Sequence, residues 1–404
     1  MRIVMIIGDG MADLPLPELD GKTPLEAVNP NNLNRLVSNG FSGLLDPISP
    51  EIIPGTETAH LSILGYTTQI VANGRGPFEA AGAGIDLKKG DIAFRCNFAQ
   101  IDETFTILDE RAGRIGAEAS ELVPIVQSIQ KIFDIQILFK QSLGFKGALV
   151  LRGENLSANV SAYMPKKGEI VAKIKPLDDT TQASRTAEVL NYFIKLSYNL
   201  LNDHPVNLKR KAKGEPVANV VLPWSGGKIP VLESFNQKYG LNAACIAAAS
   251  VIKGICKLSG MSVLDVEGAT GEFDTNALAK ADAALKALSD YDFVLLHLEA
   301  ADEASHDGNI QLRVDVIKKI DAMVGRILDN VNLNDTLVVL LSDHVTSTQF
   351  RQHTADPVPI AIANTKIPKD GVTKFSEKAA TAGSLRRIQG KDVMPLIMDL
   401  FNNL

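Results

Sequence analysis

The sequence predicts an α/β fold, doubly wound on a mainly parallel sheet, with a smaller α+β domain inserted into it. Short apolar runs ending in loops rich in acids, histidines or glycines recur at "RIVMIIGDG", "DFVLLHLEAADEASHDG" and "DTLVVLLSDH", and they alternate with helical periodicity in "TNALAKADAALKALSD" and "RVDVIKKIDAMVGRILDNV". Apolarity at every position, rather than every second one, marks strands covered on both faces, as in a parallel sheet flanked by helices. The length of 404 residues exceeds one ordinary core, so two domains of unequal size are expected.

Taken in order, "MRIVMIIGDG" is the first core strand, its apolar stretch too short for a signal peptide or a membrane span. Gly10 lets the chain turn sharply where that strand stops. "PGTETAHLSILGY", residues 54–66, runs from loop chemistry into an apolar segment and sets the hydroxyl of Thr56 beside Glu57 and His60 at the lip of the core. The middle of the chain reads differently, with strand-like "DIAFRCNFAQID", "GALVLRG" and "VANVVLP" and the long helical "TAEVLNYFIKLSYNLLND". Residues 85–228 are therefore an inserted domain between the core segments 1–84 and 229–404, bounded by the glycine-rich "EAAGAGIDLKKGD" and "WSGGKIP". The basic "KRKAKG" within it reads as a solvated loop.

Composition narrows the partners. With 45% hydrophobic and 22% charged residues and a net charge of -6, the chain has the make-up of a soluble globular protein without the basic excess of a nucleic-acid binder, and no membrane partner is expected. Cys96, Cys245 and Cys256 lack metal-ligand spacing and are too few for a disulfide framework, which fits reduced, packed thiols in a cytoplasmic protein. Nothing in the composition determines an oligomeric state.

There are six histidines, and His306, His344 and His353 keep company with acids. In "DEASH", Asp302 and His306 are four positions apart, so one helical turn puts both on one face, where they can share an ion. "SDH" places Asp343 beside His344 at the end of a strand; neighbours in a strand face opposite ways, so they serve two adjacent sites, or one if the chain turns. Asp9 ends the first strand, and His353 follows in "RQHTADPVP". Singly each has a structural explanation: Asp9 as a helix cap, Asp302 as the partner of a lysine. Together, three Asp and three His at strand ends fit two divalent-cation sites of oxygen and imidazole ligands, suited to Mn²⁺ or Zn²⁺ more than Ca²⁺. Two such ions about 3.5–4 Å apart clamp the oxygens of a phosphoryl transfer. A hydroxyl held by such an ion loses its proton readily, which makes Thr56 a candidate nucleophile and phosphothreonine a candidate intermediate.

The motifs "IIGDGMADLP", "PGTETAHLSILGY", "GRGPFEAAGAGIDL", "FRCNFAQID", "RAGRI", "LRGENLS", "GATGEFDTN", "DEASHDG", "SDH" and "HTADPVPI" occur in the order found in a known family. Over nearly its whole length the chain resembles the archaeal type of 2,3-bisphosphoglycerate-independent phosphoglycerate mutase, of the alkaline phosphatase superfamily. The resemblance implies a small phosphorylated metabolite as partner and 2- and 3-phosphoglycerate as substrates. It implies two divalent ions, with Mn²⁺ expected and Mg²⁺, Co²⁺ or Zn²⁺ as alternatives. One ion falls to Asp9, Thr56, Asp343 and His344, the other to Asp302, His306 and His353. It further implies that phosphate passes to the nucleophile while glycerate reorients in a closed cleft, and that the insert acts as a substrate-binding lid. By family position the substrate's anionic groups fall to Arg114, Arg152, Arg185 and Lys253. Surface arginines look the same in sequence, but Lys253 sits in the apolar "ACIAAASVIKGI", where an unpaired charge is costly.

The chain departs from the family in three places. Thr56 stands where the family has Ser; its hydroxyl is retained, but the extra methyl stiffens χ1 and crowds phosphorus. Ser62 is the weaker alternative nucleophile. Trp224, in "VLPWSGG", stands where an arginine is expected, and "VSAYMP" lacks acids around Ala162 to Met164. These changes leave open a metal-dependent phosphatase or phosphotransferase acting on another phosphorylated metabolite. A non-catalytic sensor is disfavoured because all the Asp and His positions are present. Of the other histidines, His297 is expected to be buried beside the site, His60 to support the nucleophile loop or the packing, and His204 to lie in a surface loop.

Overall fold

The three apolar runs singled out above become adjacent strands: Phe293–Leu298, Arg2–Gly8 and Thr336–Leu341 lie side by side and parallel. The computed structural model describes residues 1–71 and 74–404 in full and divides into two units. The first comprises Met1–Thr68, Leu232–Ala248 and Ile255–Leu404; the second comprises Gln69–Val231 and Ala249–Gly254. The second unit thus takes in residues 69–84 and 249–254, stretches that the sequence reading assigns to the core.

The first unit is built on an eight-stranded sheet. Across it run Ser262–Val263, Ala243–Ile246, Phe293–Leu298, Arg2–Gly8, Thr336–Leu341, Val358–Ala363, Gly40–Asp46 and Arg386–Gln389. Only Val358–Ala363 runs antiparallel to its neighbours. Every residue of Phe293–Leu298 and Thr336–Leu341 is buried, which is the burial that continuous apolarity predicts. Val4, Ile6, Val294, Leu296, Val338 and Leu340 form one face and pack on Val316, Ile317, Ile320, Met323 and Val324 of the helix Ile310–Asn330. On the opposite face Phe293 meets Phe235, their ring centroids 4.8 Å apart. The parallel strands all end on one edge, where Asp9 follows Gly8 and Ser342, Asp343 and His344 follow Leu341.

The second unit carries an antiparallel sheet in which Ile92–Ile101 is central, flanked by Lys146–Arg152 and Val220–Lys228. The last strand runs on through "WSGGK", which the sequence reading takes as a boundary; the register shifts between Ala93 and Arg95, and that irregularity accommodates the glycines within the pairing. "KRKAKG" is not a loop. Lys209, Arg210 and Lys211 lie in the last turn of the helix Pro205–Ala212 and Lys213 ends it; Pro205 starts the helix, the His204 side chain caps it and the cations face its negative end. Helix Thr181–Leu201 buries Ala183, Thr186, Ala187, Leu190, Phe193, Ile194, Ser197 and Leu201, the stripe that a 3.6-residue period lays down. Phe193 is fully buried, so Phe193→Ala is expected to cost about 3–5 kcal/mol, read as a fall in the urea unfolding midpoint.

Candidate metal centre

Gly10 makes the turn that starts the centre. Its φ of +58° is easiest for glycine, and a Cβ there would lie 2.6 Å from Thr346 Oγ1 and 2.9 Å from the Asp302 Cα. Gly10→Ala is therefore expected to destabilise the protein by at least about 1–2 kcal/mol and to weaken Mn²⁺ binding, measured by urea unfolding and by metal titration. Asp9 is held between two imidazoles: His297 Nε2 is 3.1 Å from Oδ2 and His344 Nε2 is 3.1 Å from Oδ1. Asp343 and His344 sit where the chain bends between Thr336–Leu341 and Val345–Ser347, so both reach one site, and His344 Nε2 is 3.2 Å from Asp343 Oδ2. The Gly10 N–H donates to Asp343 Oδ1 at 3.0 Å.

A second cluster adjoins the first. Helix Ala300–His306 places Asp302 and His306 one turn apart as their spacing predicts, with His306 Nε2 and His353 Nε2 each 3.4 Å from Asp302 Oδ1. His353 also stacks on His344, ring centroids 3.7 Å apart. Ligand atoms of Asp9, Asp343 and His344 lie within 4.8 Å of one another, as do those of Asp302, His344 and His353. His344 thus belongs to both groups, whereas the resemblance assigns it to one.

Thr56 is the first residue of the helix Thr56–Ile63, and its Oγ1 is 3.4 Å from His344 Nε2. His60, one turn on, holds the loop through Nδ1 to the Thr56 carbonyl at 2.8 Å. Ser62 Oγ lies instead against Gly390, at the start of the C-terminal helix Gly390–Asn403.

The donor set fits divalent cations. Asp9 Oδ1 and Asp343 Oδ2 are buried carboxylate oxygens that accept no hydrogen bond, although His344 Nε2 stands close to both. Ligand atoms at about 2.1 Å from one ion lie about 3–3.5 Å from each other, and His344 Nε2 stands 3.1 Å from Asp9 Oδ1 and 3.2 Å from Asp343 Oδ2. Burial would raise the Asp9 carboxyl, but its place beside the imidazoles of His297 and His344 holds it well below the usual range. Asp343 is pushed well above that range by burial and by the charges of Asp9 and Asp302. Burial, then the neighbouring charge of His297, takes His60 down to about 3, and burial lowers His344 too, so both imidazoles are neutral, the form that binds metal. His344 Nδ1 lies 2.9 Å from Thr346 Oγ1, whose hydroxyl donates to Asp302 Oδ1 at 2.7 Å; that oxygen accepts from Nδ1–H and leaves the Nε2 lone pair facing the carboxylates.

The four cations expected to meet substrate all lie in the second unit. Arg152 pairs with Asp91 through two hydrogen bonds of 2.9 and 2.8 Å, and Arg185 pairs with Asp134. Arg114 ends a short turn with φ +54°, and Lys253 is half-buried on the helix Ser250–Leu258. Trp224 donates from Nε1 to Asn97 at 3.2 Å, and the Arg95 guanidinium lies 4.7 Å from its ring. Sequence reasoning missed Thr346, the buried Lys280 that donates to the His297 carbonyl at 3.0 Å, and Arg313. Arg313 had a visible signal: it falls on the apolar stripe of its helix with Val316, Ile317 and Ile320.

Among the described residues no helix is long and apolar enough to cross a membrane. A family model described as the metalloenzyme superfamily matches residues 1–400. The 2,3-bisphosphoglycerate-independent phosphoglycerate mutase 1 of Methanothermobacter thermautotrophicus is 47% identical over 406 residues, covering 100% of this chain and 98% of that one. The structure of the PH0037 protein from Pyrococcus horikoshii superposes with a TM-score of 0.83 at 35% identity, covering 99% of this chain and 97% of that one. The cofactor-independent phosphoglycerate mutase from Thermoplasma acidophilum superposes with a TM-score of 0.66 at 33% identity, covering 99% and 100%. With full-length kinship on that scale, and an acid and imidazole cluster at the strand ends, the chain belongs to the 2,3-bisphosphoglycerate-independent phosphoglycerate mutases of the metalloenzyme superfamily.

Proposed function

We propose that this protein interconverts 2-phosphoglycerate and 3-phosphoglycerate through a phosphothreonine at Thr56, in the cytoplasm, with two divalent cations, Mn²⁺ foremost. The observation that carries the reading is the convergence of Thr56 Oγ1 with Asp9, Asp343 and His344 beside a second group of Asp302, His344 and His353, with His306 Nε2 3.4 Å from Asp302. When bound, the cations lower the pKa of the threonine hydroxyl and offset the charge on phosphoryl oxygens. The Thr56 oxygen bonds to phosphorus as the phosphorus–oxygen bond to glycerate breaks, and the hydroxyl proton ends on the departing glycerate oxygen. Attack by the other glycerate hydroxyl reverses the exchange and returns the proton to Thr56. Its place at the positive end of the helix Thr56–Ile63 favours the anionic oxygen. His60 keeps that oxygen aimed by holding the Thr56 carbonyl.

Arg114, Arg152, Arg185 and Lys253 stand as the proposed contacts of the substrate's anionic groups. Excluding water while the phosphoenzyme waits separates a mutase from a phosphatase. The test is to strip the protein with chelator, restore Mn²⁺, and follow 2-phosphoglycerate formed from 3-phosphoglycerate alongside free phosphate. Isomer formation well in excess of phosphate is expected; phosphate release without isomer would replace this reading with hydrolysis.

A further inference from the structure

We infer that Arg313 is a positioning residue that sets the spacing between the two halves of the metal centre, an inference that rests on the metal-centre reading above. Its side chain is fully buried and is the largest so placed among the described residues. Nη2 donates to the carbonyls of Gly10 at 2.8 Å, Ala12 at 2.7 Å and Met11 at 3.2 Å. Nη1 donates to the Thr346 carbonyl at 2.8 Å and to Thr348 Oγ1 at 3.2 Å. One planar group therefore spans two segments that follow neighbouring strands, and it adds to the direct backbone bond between them, from Thr346 N–H to the Ala12 carbonyl at 3.2 Å.

Each of those segments carries ligands. The turn over residues 10–12 follows Asp9, and residues 345–348 follow Asp343 and His344. Thr346, whose carbonyl Arg313 holds, presents its own hydroxyl to Asp302 Oδ1 and His344 Nδ1. Asp9, Asp302 and His344 are thus each one residue or one hydrogen bond away from a group that this guanidinium holds. Asp13 Oδ2, 3.5 Å from Nη1, offsets the buried charge, and it is itself tied to Thr348 by the Thr348 hydroxyl at 2.6 Å. Only arginine offers several N–H donors in a rigid plane wide enough for both segments; the ammonium of lysine is a point donor on a flexible stem.

The test compares native protein with Arg313→Lys, which keeps the charge. Calorimetric titration of the metal-free proteins with Mn²⁺ is expected to show about 10- to 100-fold weaker binding in the variant. Circular dichroism should match, and KM for phosphoglycerate should hold at saturating Mn²⁺ while kcat falls. A merely structural role would lower the melting temperature without changing Mn²⁺ affinity in the folded variant, and that result would overturn the inference. Native protein that binds no Mn²⁺ removes the metal reading and this inference together; equal binding by both proteins removes the inference alone. Should Arg313→Lys fail to fold, Thr348→Val, which removes one acceptor of Nη1, is titrated instead: weaker Mn²⁺ binding supports the inference and unchanged affinity overturns it.

Discussion

Thr56→Ala is expected to lower the turnover of 3-phosphoglycerate by at least about a thousandfold and to abolish phosphopeptide formation, with the fold retained. Its hydroxyl is the one that stands 3.4 Å from His344 Nε2 at the start of a helix, among ligands of the proposed ions. The competing hydroxyl, Ser62, points to Gly390 in the C-terminal helix, away from that cluster. The side chain lost is small and, among the described residues, its hydroxyl makes no hydrogen bond besides that to His344, so circular dichroism and the urea midpoint should stay near native. Rapid-quench mass spectrometry of the peptide over 54–66 reads the covalent step, and a coupled assay reads the isomerisation. Thr56→Ser keeps the hydroxyl and frees χ1, so turnover should persist. Native turnover and labelling in Thr56→Ala would move the nucleophile to another residue.

Asp302→Ala is expected to lose about one equivalent of bound metal and most of the activity. Asp302 Oδ1 is the shared point of its cluster, 3.4 Å from His306 Nε2 and from His353 Nε2 and hydrogen-bonded by Thr346. Burial works against its charge, yet the hydrogen bond from His353 and its other imidazole neighbours hold its carboxyl down to about 2. The carboxylate is therefore ionised over the whole working range. Without it the imidazoles of His306 and His353 lose the anion that balances a cation between them. Elemental analysis after dialysis counts the ions; a metal content equal to that of native protein would show that this carboxylate holds none.

The parts legible in advance share one property: their partners are near in sequence. Asp302 and His306 face the same way because a helix repeats every 3.6 residues, and the fully buried strands announced themselves by unbroken apolarity. The lysines of "KRKAKG" misled because their helix draws stability from Arg210, which is buried against Glu118 and the Pro216 carbonyl, residues outside the quoted stretch. Likewise "WSGGK" stays in a strand because Ile92–Ile101 supplies the pairing that glycine's own preferences do not.

By itself, then, the chain's order of residues determined which groups are chemically able to hold a cation or carry a phosphate, and which strongly periodic or unbrokenly apolar segments become helices and strands, since periodicity and residue chemistry are local. Tertiary structure alone decided that His344 serves both ligand groups, that its Nε2 is the free nitrogen, and that Arg313 ties the Asp9 turn to the Thr346 hairpin. The reach of Arg313 to the Gly10 carbonyl spans 303 positions and that of Thr346 to Asp302 spans 44; both are set by packing at the sheet's edge, which no short window of sequence encodes.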